Sequence, residues 1–256
     1  MSPRQIDSQT RDQREEELLD AAMTLIGDQG VEGLTMDKLV SAVPYSKGTV
    51  YGHFSGKEDL LLALCNRGMA LLVSMFKRAG AFEGVTRERL LACIYGYQLY
   101  ARLYPIFFML VITAKAPGVV EKSSERQREK HIQLQALLGE RLLGLIRQAL
   151  ETAECGNPLN MSVEQIAFAN WSASFGSISL LSKGTDRCNI RAGLALEESL
   201  LANVSLVLDG LNWRPLSSQF DYNTSLERIR CEVFADEVAL LTAGEMNQKQ
   251  ECCGTL

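Results

Sequence analysis

Apolar positions fall at helical spacing along most of this chain. Leu18, Ala21, Ala22, Leu25 and Ile26 recur three and four apart and predict a first amphipathic helix. Thr10 to Gln13 fits a capping box at its start, and Gly30 is placed to close it, because glycine takes positive φ without steric cost. Glu15, Glu16 and Glu17 in its early turns read as a solvated face that the helix dipole favours. Thr35 then caps a short helix with Met36, Leu39 and Val40 on its inner face. Pro44 disfavours helical geometry at Val43, so the chain turns between Ala42 and Ser46. Ser46 caps a third helix that buries Val50 and Phe54 and leaves Lys47, Gly48 and Thr49 exposed in its first turn. Ser55 to Glu58 is another capping box, opening a fourth helix that is apolar on most sides from Leu60 to Phe76, as a helix joining two parts would be.

The pattern continues to the far end. Thr86 to Tyr104 reads as a helix stopped at Pro105, and Val119 to Ala153 as one long helix with His131 on its surface. Glu151 to Met161, with Gly156, Asn157 and Pro158, is a loop and hinge. Ser162-Val-Glu-Gln165 caps the next helix, which carries a ring stripe, Phe168, Trp171 and Phe175, and a small-residue stripe, Ala169, Ala173, Gly176 and Ser177. Ala192 to Leu208 follows with Leu196, Leu200, Val204 and Val207 in register, and a last helix is expected from about Leu226 to Leu241. Residues 244–256 read as a disordered tail. The fold class is therefore all-α.

Composition narrows the function. The 256 residues, 46% hydrophobic and 22% charged, allow two compact parts of unequal size. Net charge is −5, and Met1 to Leu60 holds six Lys and Arg against eleven Asp and Glu, so any polyanion site is a local patch. Gly33 to Lys57, with Lys38, Lys47 and Lys57 against Asp37, is such a patch. Seven Cys without a C-x-x-C pair, and only two His, give no expectation of a metal, and no motif calls for a cofactor. No start resembles a secretory signal, and the longest apolar run, Ile106 to Ile112, is far short of the roughly 20 residues that cross a bilayer. A cytoplasmic protein without a membrane partner is expected. The absence of a P-loop, a dinucleotide fingerprint or clustered ligands argues against an enzyme.

A short helix, a turn and a second helix with a free N-terminus is the geometry that enters a major groove. Lys47 could donate to guanine O6 or N7, and the Thr49 methyl could meet a thymine methyl. Gly48 costs about 1 kcal/mol against alanine in a helix, which close approach of a DNA backbone would explain. Thr35 and Lys57 stand at helix N-termini, where a phosphate is favoured. Tyr45 either packs beneath the helix or reaches DNA. The ring-dense stretch from Tyr95 to Phe108 is core, or else a ligand pocket lined by Tyr95, Tyr104, Phe107 and Phe108 with Trp171 and Phe175. Gln98, Arg102 or Lys115 would then supply its polar contacts.

REEELLDAAMTLIGDQG from Arg14, LTMDKLVSA from Leu34 and YSKGTVYGHFSGKEDLLLAL from Tyr45 together resemble the DNA-binding domain of the TetR family of transcriptional regulators. The resemblance implies a helix-turn-helix domain at 1–56 joined by a connecting helix to a ligand-binding and dimerisation domain at 57–243. It implies that Tyr51 and His53 reach phosphate oxygens, and that Ser46 and its neighbours lie on the DNA. It also implies a four-helix dimer interface drawn from Ala169, Ala173, Gly176, Leu180, Leu196, Leu200 and Val204. The function implied is a homodimeric repressor on a double-stranded DNA operator, released by a small apolar or aromatic effector. A helical dimeric module that binds a small molecule or protein without DNA is the alternative. Where the family carries glycine and an aliphatic residue in the turn, this chain has Pro44 and Tyr45, so its turn is built differently.

Overall fold

The computed structural model describes residues 8–113, 116–181 and 188–253. Twelve helices and no strand occur among them, the one bridge being Cys155 with Trp213. They are α1 (Ser8–Gly33), α2 (Met36–Ala42), α3 (Lys47–His53), α4 (Lys57–Gly80), α5 (Thr86–Leu103), α6 (Pro105–Thr113), α7 (Pro117–Lys122), α8 (Glu125–Glu151), α9 (Val163–Leu181), α10 (Leu196–Gly210), α11 (Tyr222–Glu232) and α12 (Ala235–Cys253). They form two compact units, residues 1–70 with 104–135, and residues 71–103 with 136–256. The first unit thus takes in chain well beyond the expected boundary at residue 56.

The first unit is built on the expected apolar stripes. Leu18, Leu19, Ala22 and Ile26 of α1, Met36 and Leu39 of α2, Val50 of α3 and its C-cap Phe54, and Leu60 to Leu64 of α4 are all buried. Helix α1 starts at Ser8, ahead of the expected cap at Thr10, and breaks at Gly30, where φ is 73°. The cap at Ser55 uses Asp59 rather than Glu58: the Ser55 amide and hydroxyl both donate to Asp59 Oδ2, at 2.9 and 3.1 Å. The amide and hydroxyl of Ser124 donate to Asp59 Oδ1 at 3.0 and 2.8 Å, so this buried carboxylate is saturated with donors. The same serines end the single helix expected from Val119, which is divided into α7 and α8 at Ser123 and Ser124. His131 is buried, not on the surface, its Nδ1 2.8 Å from Asn66 Oδ1 and its Nε2 3.0 Å from the Gln135 amide.

In the second unit α5 is buried along most of its length. Gly96 lets α12's neighbour Phe234 approach it, since a Cβ there would lie 2.7 Å from the ring. Arg87 is fully buried and donates to Asp209 at 2.6 Å, to the Trp213 and Pro215 carbonyls at 2.7 and 3.0 Å, and to Ser217 at 2.7 Å. The helix expected from Leu226 is two, α11 and α12, parted at buried Phe234. Ser162 caps α9 as its capping box predicts, accepting from the Gln165 amide at 3.2 Å while Gln165 Oε1 accepts from the Ser162 amide at 2.8 Å. Helix α12 carries residues 244–253 of the expected tail, and 254–256 lie outside the described residues.

Candidate nucleic-acid interface and effector cavity

The turn between α2 and α3 is made by local caps. Thr35 Oγ1 accepts from the Lys38 amide at 3.3 Å, and Ser46 Oγ accepts from the Thr49 amide at 3.2 Å. Val43 is extended, as a residue before proline must be, and the chain turns without glycine. Tyr45 donates its hydroxyl to Glu17, with Arg14 5.7 Å above its ring. That bond holds the Glu17 carboxyl below its ordinary range and pushes the Tyr45 phenol up. Packing against α1, not an outward hydroxyl, is the position of Tyr45.

The outward face of α3 carries Lys47, Gly48 and Tyr51, all exposed. Lys47 Nζ lies 3.0 Å from Asp37 Oδ1 and 5.6 Å from the Tyr51 ring centroid, and the Asp37 bond favours its charged form. Thr49 is half-buried, its hydroxyl 2.9 Å from Ser46 Oγ, so its methyl is the group left to offer. A Cβ on Gly48 would meet only Ser46 Oγ, at 3.8 Å, which is ordinary contact. No crowding within the chain requires glycine there. His53 is turned inward instead of lying open on the face: its side chain is 6% exposed, with Nδ1 3.6 Å from Glu15 Oε2. Glu15 in turn accepts from Arg126 at 2.7 Å. Lys57 Nζ donates to the Glu32 carbonyl at 3.3 Å.

The expected ligand residues separate. Tyr104, Phe107 and Phe108 belong to the first unit, while Tyr95, Gln98, Arg102, Trp171 and Phe175 belong to the second. Lys115 lies outside the described residues. Within the second unit a partly open cavity of about 30 Å³ is walled by Leu90, Cys93, Ile94 and Tyr97 of α5, Leu142 and Ile146 of α8, Ala167, Asn170, Trp171 and Ser174 of α9, and Phe76. Trp171 alone of the expected ligand residues is on that wall. Tyr95 and Gln98 line another space of about 20 Å³ with Leu200 and Val204, and Ile94 is on the walls of both. Burial pushes the Cys93 thiol up to about 12 and the Tyr97 phenol up to about 12. The missed wall residues were legible as helix faces, because Leu90, Cys93, Ile94, Tyr97 and Ala167, Asn170, Trp171, Ser174 each repeat at i, i+3, i+4, i+7.

On the expected dimer helices, Leu200 and Val204 are core residues, 3% and 0% exposed, and face the chain's own interior. Ala169, Ala173, Gly176 and Leu196 are half-buried, and Leu180 is exposed. The exposed apolar side chains also include Phe168 of α9 and Leu206 of α10, at 64% and 73%.

Residues 18–64 match the family model for bacterial regulatory proteins of the tetR family. A transcriptional repressor, AcnR of Corynebacterium diphtheriae, is 35% identical over 77 residues, 30% of this chain and 40% of that protein. A transcriptional activator, FasR of Mycolicibacterium smegmatis, is 36% identical over 84 residues, 33% of this chain and 38% of that protein. The chain thus matches under half the length of either relative. Among solved structures, the transcriptional regulator FadR of Bacillus subtilis in complex with stearoyl-CoA has a TM-score of 0.58 at 15% identity, covering 76% of this chain and 98% of that one.

Proposed function

From its membership of the tetR family, carried by residues 18–64, we propose that this chain is a cytoplasmic, homodimeric transcriptional regulator that an effector releases from its operator. The observation that carries the DNA-binding part is the outward face of α3. Lys47, Gly48 and Tyr51 stand exposed there, and Gly48 has no steric need to be glycine except toward something outside the chain. Lys47 reads base edges, and Tyr51 with the N-terminal groups at Thr35 and Ser46 fixes the phosphates. Thr49 adds a methyl contact. His53 acts from beneath, through the orientation of α3. Repression follows the AcnR relatives, and FasR sets activation as the outcome to be tested against it. The effector part is supported by the apolar cavity between α5, α8 and α9, and by FadR having been solved with stearoyl-CoA. Dimerisation is supported by Phe168, Leu180 and Leu206 standing exposed on α9 and α10.

A gel shift against the DNA upstream of the chain's own gene tests this reading. Lys47→Ala is expected to weaken binding unequally across operator variants, by roughly 1–3 kcal/mol at the base it reads. Tyr51→Phe is expected to weaken binding nearly uniformly, as loss of a phosphate contact does. An unchanged rank order of sites in Lys47→Ala would remove Lys47 as a reader. The second reading, a dimeric module without DNA binding, is favoured by the Asp37 carboxylate that neutralises Lys47. Absence of any retarded species at low salt selects it.

A further inference from the structure

We propose that the second unit binds a single-chain amphiphile with one anionic head, the head on Arg141 and the chain passing between Phe76 and Cys93 into the apolar cavity. This rests on the reading of that cavity as the effector site and names the effector's chemical class.

The cavity by itself holds about 30 Å³, the share of a single water molecule in the liquid, and no charged side chain is on its wall. It is not isolated. A cleft of about 200 Å³ lies against it, and Phe76 and Cys93 are on the walls of both spaces. One ring and one thiol therefore line the way from one to the other, and side-chain rotation there joins them without moving backbone. Gly80 and Gly144 are on the wall of the outer cleft.

The cleft is charged where the cavity is not. Arg89 and Arg141 line it. Arg89 is already committed, donating to the Gly80 carbonyl at 3.1 and 2.9 Å and to Gln148 at 2.9 Å. Arg141 is exposed and has no hydrogen bond or ion pair among the described residues. Its guanidinium, with five donors in a planar fork, is suited to a carboxylate or phosphate. Both guanidiniums act electrostatically on Cys93, which places their field at the passage itself.

The inner end sets the remaining condition. Asn170 is 4% exposed, donates its amide to the Ile166 carbonyl at 2.9 Å, and has a buried Oδ1 without a hydrogen-bond partner. An unpaired acceptor in an apolar wall opposes a second anion there. The occupant therefore carries no second anion at its inner end.

Calorimetric titration of the full chain, without DNA, compares decanoate, decanol, decylamine and decanedioate below their micellar concentrations, with Trp171 fluorescence as a second signal. Decanoate is expected to bind at least about tenfold more tightly than decanol, the worth of one charge-assisted hydrogen bond, and decylamine and decanedioate more weakly still. Arg141→Ala should bring decanoate to the level of decanol and leave decanol unchanged. Arg141→Glu should invert the preference between acid and amine. Arg141 is at the surface, so both variants keep the fold, as circular dichroism would verify. Ala167→Leu, which fills the inner cavity, should weaken every chain. Decanoyl-CoA in a further arm separates a free acid from a thioester whose charge sits on a nucleotide, and binding of either that depends on Arg141 supports the proposal. Decanol equal to decanoate, or no effect of Arg141→Ala, overturns it. Because no DNA is present, that failure with operator binding intact rejects the ligand class alone. Decanoate binding without operator binding rejects the regulator.

Discussion

Gly48 is the residue at which the free chain and its function part company. With open space around its Cα, alanine fits and the helix gains from it. Gly48→Ala is expected to raise unfolding stability by about 0.5–1 kcal/mol while weakening operator binding at least about tenfold, measured by denaturation and gel shift on one preparation. If both rise together, close approach of DNA at that position is not the reason for glycine. Tyr45 gives a second prediction of this size. Its hydroxyl lowers the Glu17 pKa, so the bond's contribution to stability is present above the ordinary carboxylate range and is lost as pH falls through the lowered value. Tyr45→Phe should return the Glu17 titration, followed by NMR, to its ordinary range. The Gly48 effect was readable from residue type, as a helix glycine that close approach of DNA would explain, but the Tyr45 position was not, because tyrosine in a turn admits both a packing and a contact role.

A buried carboxylate, Asp59, and a buried arginine, Arg87, hold the elements together. Asp59 joins the start of α4 to the start of α8 through four donors, and Asp59→Ala would leave all four without their acceptor. A loss of about 3 kcal/mol or more in chemical denaturation is expected, and a loss below about 1 kcal/mol would mean that water replaces the carboxylate. Burial pushes the Asp209 carboxyl up, but Arg87 and Ser217 outweigh it and hold it below the usual range. Its stabilisation is therefore complete above the ordinary carboxylate pKa and disappears as pH falls through the depressed one. Asp209→Asn should flatten the stability profile below about pH 4 while lowering the plateau at neutral pH. Capping pairs were legible in the sequence where the partner is three residues away, as at Ser46 and Ser162. They were not legible where Asp59 replaced Glu58, because the competing donors come from Ser124, 65 residues distant.

At the scale of the molecule, the second unit exposes the apolar side chains of Phe168 and Leu206, at 64% and 73%. Phe168→Glu or Leu206→Glu is expected to convert the proposed dimer to monomer in sedimentation velocity without changing the helical signal, since both side chains are exposed. A chain that sediments as a monomer before substitution would instead leave these residues to another partner. Leu200→Glu would unfold the chain rather than dissociate it, as Leu200 is a core residue.

Sequence by itself determined the all-α class, the helix-turn-helix with its caps at Thr35 and Ser46, and the exposure of Lys47 and Gly48, whereas Thr49, expected to be exposed beside them, is half-buried against Ser46. These depend on periodicity and on bonds three or four residues long, which a linear text contains. Tertiary structure decided that His53 turns inward to Glu15, that His131 is buried against Asn66, and that Leu200 and Val204 face the core. It also decided that the ring-dense stretch is divided between two units, with the cavity assembled chiefly from faces of α5, α8 and α9. The physical reason is common to all of these: a helix fixes which side chains share a face, while the angle and depth at which that face meets another are set by packing between residues far apart in the chain.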